Sequence, residues 1–123
     1  MGTFTVPVQV GDLAGSRFIE VDALVDTGST DTVLPSNVLE QLGIEPVDRY
    51  TYKLADDRIV EYAVGDGRIR IDGRERIAPL VFGPREVAPL LGATALEIFH
   101  LAVDPIERRL IPVPGLLKGQ AQG

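Results

Sequence analysis

The chain has 123 residues, of which 45% are hydrophobic and 24% are charged, a balance typical of a single globular domain with its own core. Twelve basic and 18 acidic residues give a net charge of −6, and the basic residues are scattered, which argues against a nucleic-acid partner. The absence of cysteine excludes disulfides and thiolate chemistry. No apolar stretch approaches the ~20 residues of a membrane span, and no signal peptide is recognisable. We therefore expect a cytoplasmic protein that does not bind a membrane.

Thirteen glycines and nine prolines indicate many turns, which favours an all-β architecture over a helical bundle. Apolar residues alternate at 4–10 and again at 19–25, the period of two that predicts a β-strand. An extended run follows at 32–35. Ser36 is then expected to cap a short helix over residues 37–42, which Gly43 ends.

Three hairpins are predicted in the rest of the chain, each around a turn that contains aspartate. They pair residues 50–55 with 58–64, 67–71 with 76–82, and 101–103 with 109–113. A second short helix is expected over 93–99, directly after the run Leu90-Leu91-Gly92. Residues 1–114 are thus predicted to form a single domain, and 115–123 a flexible C-terminal tail.

An aspartate stands at the end of the second predicted strand, in the run Ala23-Leu24-Val25-Asp26-Thr27-Gly28-Ser29. A carboxylate followed by a hydroxyl residue and a glycine presents an acid on a tight turn. The tripeptide Asp-Thr-Gly occurs once, so a pair of carboxylates that shares a proton would need a second copy of the chain. Taken alone, the tripeptide could equally be an ordinary turn at the end of a strand.

This run and the later run Pro89-Leu90-Leu91-Gly92-Ala93-Thr94 resemble the two characteristic elements of the retropepsin-like aspartic proteases. The hairpin between them lies where that family has its flap. The resemblance covers roughly residues 3–114 and is closest to the small bacterial and cellular members. It implies an all-β fold with two short helices, a retropepsin-like acid protease β-barrel or sandwich in which each chain supplies one half-site.

The resemblance implies an aspartic endopeptidase that acts as a homodimer on a peptide or protein substrate. Asp26 of each subunit would contribute to a carboxylate dyad that activates water to hydrolyse the peptide bond, with no metal and no cofactor. The implied catalytic residues are Asp26, Thr27 and Gly28. The implied substrate-binding residues are Ser29, Asp31, Leu54, Ala55, Asp56 and Asp57.

Three of these residues receive specific roles from the resemblance. Thr27 would hydrogen-bond across the dimer, and Gly28 would let the backbone approach the substrate closely. Ser29 would donate its hydroxyl to the outer oxygen of Asp26, which would shift activity toward acid pH.

The chain departs from the viral members at two positions. Those members commonly place an aspartate and an arginine where this chain has Thr30 and Ala93. Both halves of that ion pair are missing, so the dimer contacts are expected to differ from the viral arrangement. Residues 109–113, the last predicted strand, are expected to take part in them.

Other readings of the sequence are weaker. A Ser-His-Asp triad would need His100, the single histidine, close to Ser16, Ser29 or Ser36, and no nucleophile motif surrounds any of these serines. With no cysteine and one histidine, the chain also lacks the usual ligands of a zinc site. Tyr50, Tyr52 and Tyr62 could form a stripe that faces a ligand, but aromatic residues of strands more often pack against neighbours. The competing hypothesis is a catalytically weak or inactive retropepsin-like dimer that serves as a peptide-binding or scaffold module, because a fold does not fix a function.

Overall fold

The structure is a computed structural model that describes residues 3–119. These residues form nine strands and two short helices, which confirms the all-β prediction. In chain order the elements are β1 (Thr5–Gly11), β2 (Phe18–Val25), β3 (Thr32–Pro35), α1 (Ser36–Gln41), β4 (Asp48–Lys53), β5 (Ile59–Ile71), β6 (Arg74–Gly83), β7 (Leu90–Leu91), α2 (Ala93–Ile98), β8 (Leu101–Asp104) and β9 (Arg109–Pro112). Neither of these helices is long and apolar enough to cross a membrane.

Seven strands form one sheet in the order β1-β2-β7-β3-β6-β5-β4. Strand β1 pairs with β2 along its whole length and also with residues 68–70 of β5, so the sheet curls round and closes on itself. Closure leaves the first half of β5 free to pair with β4. Strands β8 and β9 pair only with each other and form a separate two-stranded sheet.

The closed sheet surrounds a core of aliphatic residues and two phenylalanines, Phe82 and Phe99. Alternate residues of the strands point inward, and Val10, Ile69, Leu80 and Leu91 are almost completely buried. The two helices cover the ends of the core, and Phe99 at the end of α2 is fully buried. Each such side chain stabilises the fold by ~1.5–3 kcal/mol relative to its exposed state.

The β4–β5 and β5–β6 hairpins have the predicted partners, but β5 differs from the prediction. The sequence predicts separate strands at 58–64 and 67–71, whereas the structure has one strand of 13 residues. The two glycines that suggest an interruption are needed for close packing. A Cβ atom on Gly65 would lie 2.7 Å from the Glu45 carbonyl oxygen, and one on Gly67 would lie 2.9 Å from the Gly11 carbonyl oxygen.

The start of α1 also differs from the prediction. Ser36 is the first helical residue, and Pro35 occupies the N-cap without a side-chain hydrogen bond. The expected Ser36 cap is therefore wrong, because β3 continues through Pro35, which still pairs with Gly83. Gly43 follows the helix with a φ of +75°, as its expected role requires. Residues 113–119 follow β9 without regular structure, and the rest of the predicted tail, residues 120–123, lies outside the described residues.

Candidate active site

Asp26 directly follows β2 and is held by the backbone around it. Its N–H donates to the Leu91 carbonyl at 3.1 Å, and its own carbonyl accepts the Ser29 N–H at 3.2 Å, which closes the turn. The Gly28 N–H donates to Oδ1 of its carboxylate at 2.9 Å. The carboxylate, half-buried, therefore has a fixed orientation at the end of the strand. We call residues 26–31 the Asp26 loop.

A second chain segment, far away in sequence, supports the Asp26 loop from β7 and α2. Strand β7 runs parallel to the end of β2, with Leu91 opposite Val25. On the other side of the loop, the Ala93 N–H donates to the Ser29 carbonyl at 2.7 Å, and the Thr94 N–H donates to the Thr30 carbonyl at 2.8 Å. The run Leu90-Leu91-Gly92 and the first turn of α2 thus hold the Asp26 loop through backbone hydrogen bonds.

Gly92 and Thr32 complete this support. The Gly92 N–H donates to the Thr32 hydroxyl at 3.1 Å, and Thr32 is the buried polar residue of the described core. A Cβ atom on Gly92 would lie 2.5 Å from the Asp31 carbonyl oxygen. The backbone at Gly92 is extended, a conformation that any residue can adopt. Glycine is needed at this position because a side chain would collide with Asp31. The role of Thr32 could not be recognised from the sequence; the available signal was a hydroxyl at the start of the apolar strand run Val33-Leu34.

The Asp26 loop borders a cavity of about 720 Å³, a size suited to a small ligand or a short stretch of peptide. The cavity also contacts β3, β4, the end of β6 and the segment before β7. Six of the predicted site residues line it: Asp26, Gly28, Ser29, Asp31, Leu54 and Ala55. The structure thus brings together residues from the Asp26 loop and from the tip of the β4–β5 hairpin.

The two acidic residues of that tip, Asp56 and Asp57, do not line the cavity. Asp56 is 2.7 Å from the Arg58 guanidinium, and Asp57 is 3.5 Å from the Lys53 ammonium. Both carboxylates are exposed to solvent. The tip, residues 54–58, is closed by its own backbone, because the Leu54 N–H donates to the Arg58 carbonyl at 2.8 Å. Contact of Asp56 and Asp57 with a substrate therefore stays a prediction, as does the role of Thr27, which is exposed beside Asp26.

The hydroxyl of Ser29 has a different partner from the expected one. It donates to the Asp31 carbonyl at 3.0 Å and not to the outer oxygen of Asp26. The loop turns back on itself between these two residues, so the hydroxyl stabilises the backbone of the loop. The expected shift of activity toward acid pH loses its physical basis.

Asp31 is joined to β4 by a side-chain hydrogen bond. The Tyr52 hydroxyl donates to Oδ2 of Asp31 at 2.7 Å, and the Tyr52 ring lies 6.2 Å from the Tyr62 ring, measured between centroids. Burial, reinforced by the hydrogen bond and the charge of Asp31, raises the pKa of the Tyr52 phenol well above its usual value. Both tyrosines line the cavity, whereas the sequence analysis favoured a packing role for them.

Metal ligands do not cluster in the described part of the chain. Within residues 3–119 no group of three or more His, Cys, Asp or Glu side chains is placed to hold a metal ion. His100 is exposed and lies just after α2, where its N–H donates to the Glu97 carbonyl at 3.0 Å.

Comparison with known proteins gives a consistent result. A sequence profile described as aspartyl protease matches residues 6–95. Among curated proteins, no sequence matches the chain. The fold is similar to that of the simian foamy virus (mac) protease, with a TM-score of 0.51 and 20% identity over 74% of this chain and 91% of that one.

Two cellular proteins are similar to the chain over a larger share of its length. The retroviral protease-like domain of Ddi1 from Leishmania major has a TM-score of 0.58 and 13% identity, over 91% of this chain and 89% of that one. A retropepsin-like aspartic protease from Rickettsia conorii has a TM-score of 0.50 and 20% identity, over 85% of this chain and 89% of that one. At these identities the solved structures establish that the fold is shared. The match to the sequence profile shows in addition that the chain is related in sequence to the aspartyl proteases.

Proposed function

The chain belongs to the aspartyl protease family, with a retropepsin-like fold, and on this basis we propose that it is an aspartic endopeptidase that works as a homodimer. The observation that carries the proposal is the placement of Asp26. Its carboxylate is half-buried, oriented by the Gly28 N–H, and opens onto a cavity large enough for a short stretch of peptide. Residues of two segments distant in sequence hold it there, which is what a reaction with precise geometry requires.

A second copy of the chain would complete the site. Each chain supplies one Asp26, and the neighbouring Thr27 and Gly28 are exposed, so the loop has an accessible side against which the same loop of another copy can pack. Two carboxylates brought side by side cannot both ionise at low cost, and the pair then retains one proton. The dyad thereby holds a base and an acid at the same time.

The dyad would act on water and on the scissile peptide bond. The ionised Asp26 takes a proton from a water molecule, whose oxygen attacks the carbonyl carbon of the substrate. The protonated Asp26 of the other copy donates a hydrogen bond to the carbonyl oxygen, where negative charge develops. The carbon–nitrogen bond then breaks, and the leaving nitrogen receives a proton from the dyad.

The β4–β5 hairpin would serve as a flap over the bound peptide. Leu54 and Ala55 of its tip line the cavity and would exclude water from the dyad, while the exposed tip leaves room for opening and closing. Thr27 would hydrogen-bond to the partner loop and keep the two Asp26 carboxylates side by side. Ser29 supports this arrangement by fixing the loop backbone at Asp31.

The proposal is tested by substitution of Asp26 with the nearly isosteric asparagine. We expect Asp26→Asn to lower peptide cleavage by a factor of roughly 100 to 10,000, because the pair loses its acid–base function. Cleavage of a peptide library would be read by mass spectrometry, with the oligomeric state measured in the same buffer. Asp22→Asn is the matched control, because Asp22 is an exposed aspartate of β2, the strand that leads into Asp26.

Three outcomes would contradict parts of the proposal. Full activity of Asp26→Asn would remove the dyad from the mechanism, and full activity of a monomer would remove the partner copy. A folded dimer that cleaves none of the library peptides would instead favour a module that binds peptides without hydrolysing them.

A further inference from the structure

One carboxylate of the cavity other than Asp26 is held in place by a neighbouring side chain. Asp31 is half-buried in the cavity wall, and its Oδ2 accepts the Tyr52 hydroxyl at 2.7 Å. Among residues 3–119, no donor reaches its Oδ1, and no lysine or arginine forms an ion pair with it. Asp31 therefore presents one oxygen of a positioned carboxylate to whatever occupies the cavity.

The charges of the cavity lining are unbalanced. Its charged residues are Asp26, Asp31 and Lys53. The Lys53 ammonium lies 3.5 Å from Asp57 on the exposed tip of the hairpin, and within residues 3–119 it forms no ion pair with Asp26 or Asp31. A positively charged group on a ligand would pair with the free Asp31 oxygen by a charge-assisted hydrogen bond.

The remainder of the lining is suited to the stem of a long basic side chain. Val33, Val81, Val87 and Leu90 give the cavity an apolar wall. Lysine and arginine place three or four methylene groups between backbone and charge, and such stems pack well along apolar surface. An apolar wall together with the free carboxylate oxygen of Asp31 matches this shape and charge.

We infer that Asp31 forms a specificity subsite for a lysine or arginine side chain of the peptide substrate, and that Tyr52 is the positioning residue that holds its carboxylate. The inference rests on the proposed function, because it names the substrate class of the same cavity. Tyr52 suits this role: its phenol stays protonated over the physiological pH range, so it always donates to Asp31. Its ring is supported by Tyr62 on the neighbouring strand.

The test compares matched peptides that differ at one position. Lysine and norleucine, which has a similar stem without the charge, are placed in turn at each position around the scissile bond. For the wild type we expect one position at which the lysine peptide has a kcat/KM about tenfold higher, as a charge-assisted hydrogen bond implies. This ratio should approach one in Asp31→Asn and fall part of the way in Tyr52→Phe.

Tyr50→Phe is the control, because Tyr50 is an exposed tyrosine of the same strand that does not line the cavity. It should leave the lysine-to-norleucine ratio unchanged. A merely structural role of Tyr52 would lower kcat/KM equally for both peptides and would leave the ratio as it is. The inference is overturned when no position shows a preference for lysine in the wild type, or when the preference persists in Asp31→Asn.

A binding measurement separates this inference from the proposed function. The same peptides are titrated into Asp26→Asn, with and without Asp31→Asn, and their affinities are read by fluorescence anisotropy. A preference for lysine that disappears with Asp31→Asn supports the subsite even if the wild type hydrolyses no peptide. Equal affinities for lysine and norleucine peptides at every position reject the subsite, even if Asp26-dependent cleavage is found.

Discussion

The Asp26 loop and the tip of the β4–β5 hairpin border the same cavity but are held in opposite ways. The loop is bound through backbone hydrogen bonds to Leu91, Ala93 and Thr94, which are more than 60 residues away in sequence. The hairpin tip is closed by its own backbone and by ion pairs between its neighbouring side chains. One region depends on the tertiary fold and the other on local contacts alone.

This difference separates two mechanical roles. Exposed ion pairs such as those of Asp56 and Asp57 contribute at most about 1 kcal/mol each, so the tip can open without disturbing the rest of the protein. The loop can move only if β7 and α2 move with it, and both pack on the core. A fixed acid beside a hairpin tip that is held by local contacts alone is the combination that the proposed hydrolysis of a long substrate would require.

The largest effect is expected at Gly92, where the added methyl group would press on the Asp31 carbonyl. We expect Gly92→Ala to lower the free energy of unfolding by about 3 kcal/mol, because the backbone cannot give way as a flexible side chain would. Chemical denaturation measures this loss. In the control, Gly115→Ala, the new methyl group meets only the imidazole ring of His100, and the protein should be nearly unaffected. Similar losses for both variants would show that the loop is not held by close contact.

An intermediate effect is expected at Thr32. Thr32→Val keeps the shape of the side chain but removes the hydroxyl that accepts the Gly92 N–H, so a buried donor loses its partner. We expect the free energy of unfolding to fall by about 2 kcal/mol, as measured by chemical denaturation. Thr30→Val is the comparison, because Thr30 is exposed on the same loop. Wild-type stability of Thr32→Val would mean that this hydrogen bond contributes nothing to the support of the loop.

The smallest effect is expected at the hairpin tip. Asp57 has a φ of +69°, which glycine adopts without strain, while its ion pair with Lys53 is weak. The two contributions oppose each other, so Asp57→Gly should change the free energy of unfolding by less than about 0.5 kcal/mol. Asp72→Gly is the matched control, because Asp72 also has a positive φ, of +51°, at the next hairpin. A large loss for Asp57→Gly alone would show that the tip is held more firmly than its contacts indicate.

The parts of the fold that follow from local pattern were predicted well from the sequence. Strands β1 and β2 alternate clearly, and the turn at Asp72-Gly73 is where the sequence places it. The run Leu90-Leu91-Gly92 was predicted through its resemblance to a known family. The continuity of β5 was missed, since glycine suggests a turn until the neighbours that press on it are known.

Side-chain partners within the site were the least predictable part. The Ser29 hydroxyl had two oxygens within reach of its loop, and only the path of the backbone decides between Asp26 and Asp31. Tyr52 and Asp31 are 21 residues apart and meet only because β4 folds over the cavity. No local pattern encodes such a contact, so a tyrosine on a strand appears as a packing residue until the topology is known.

Strand β5 pairs with both β4 and β6, and this limits where residues can be inserted or deleted without disturbing the sheet. Val64 pairs with Asp48 of β4 on one side and with Val81 of β6 on the other, so the hairpin over the cavity and the hairpin of the core share one register. An insertion or deletion of one residue within β5 would turn every following side chain of the strand to the opposite face of the sheet. A change of length in the turn between Lys53 and Ile59 avoids this shift, so the reach of the hairpin tip can change while the register of its base is kept.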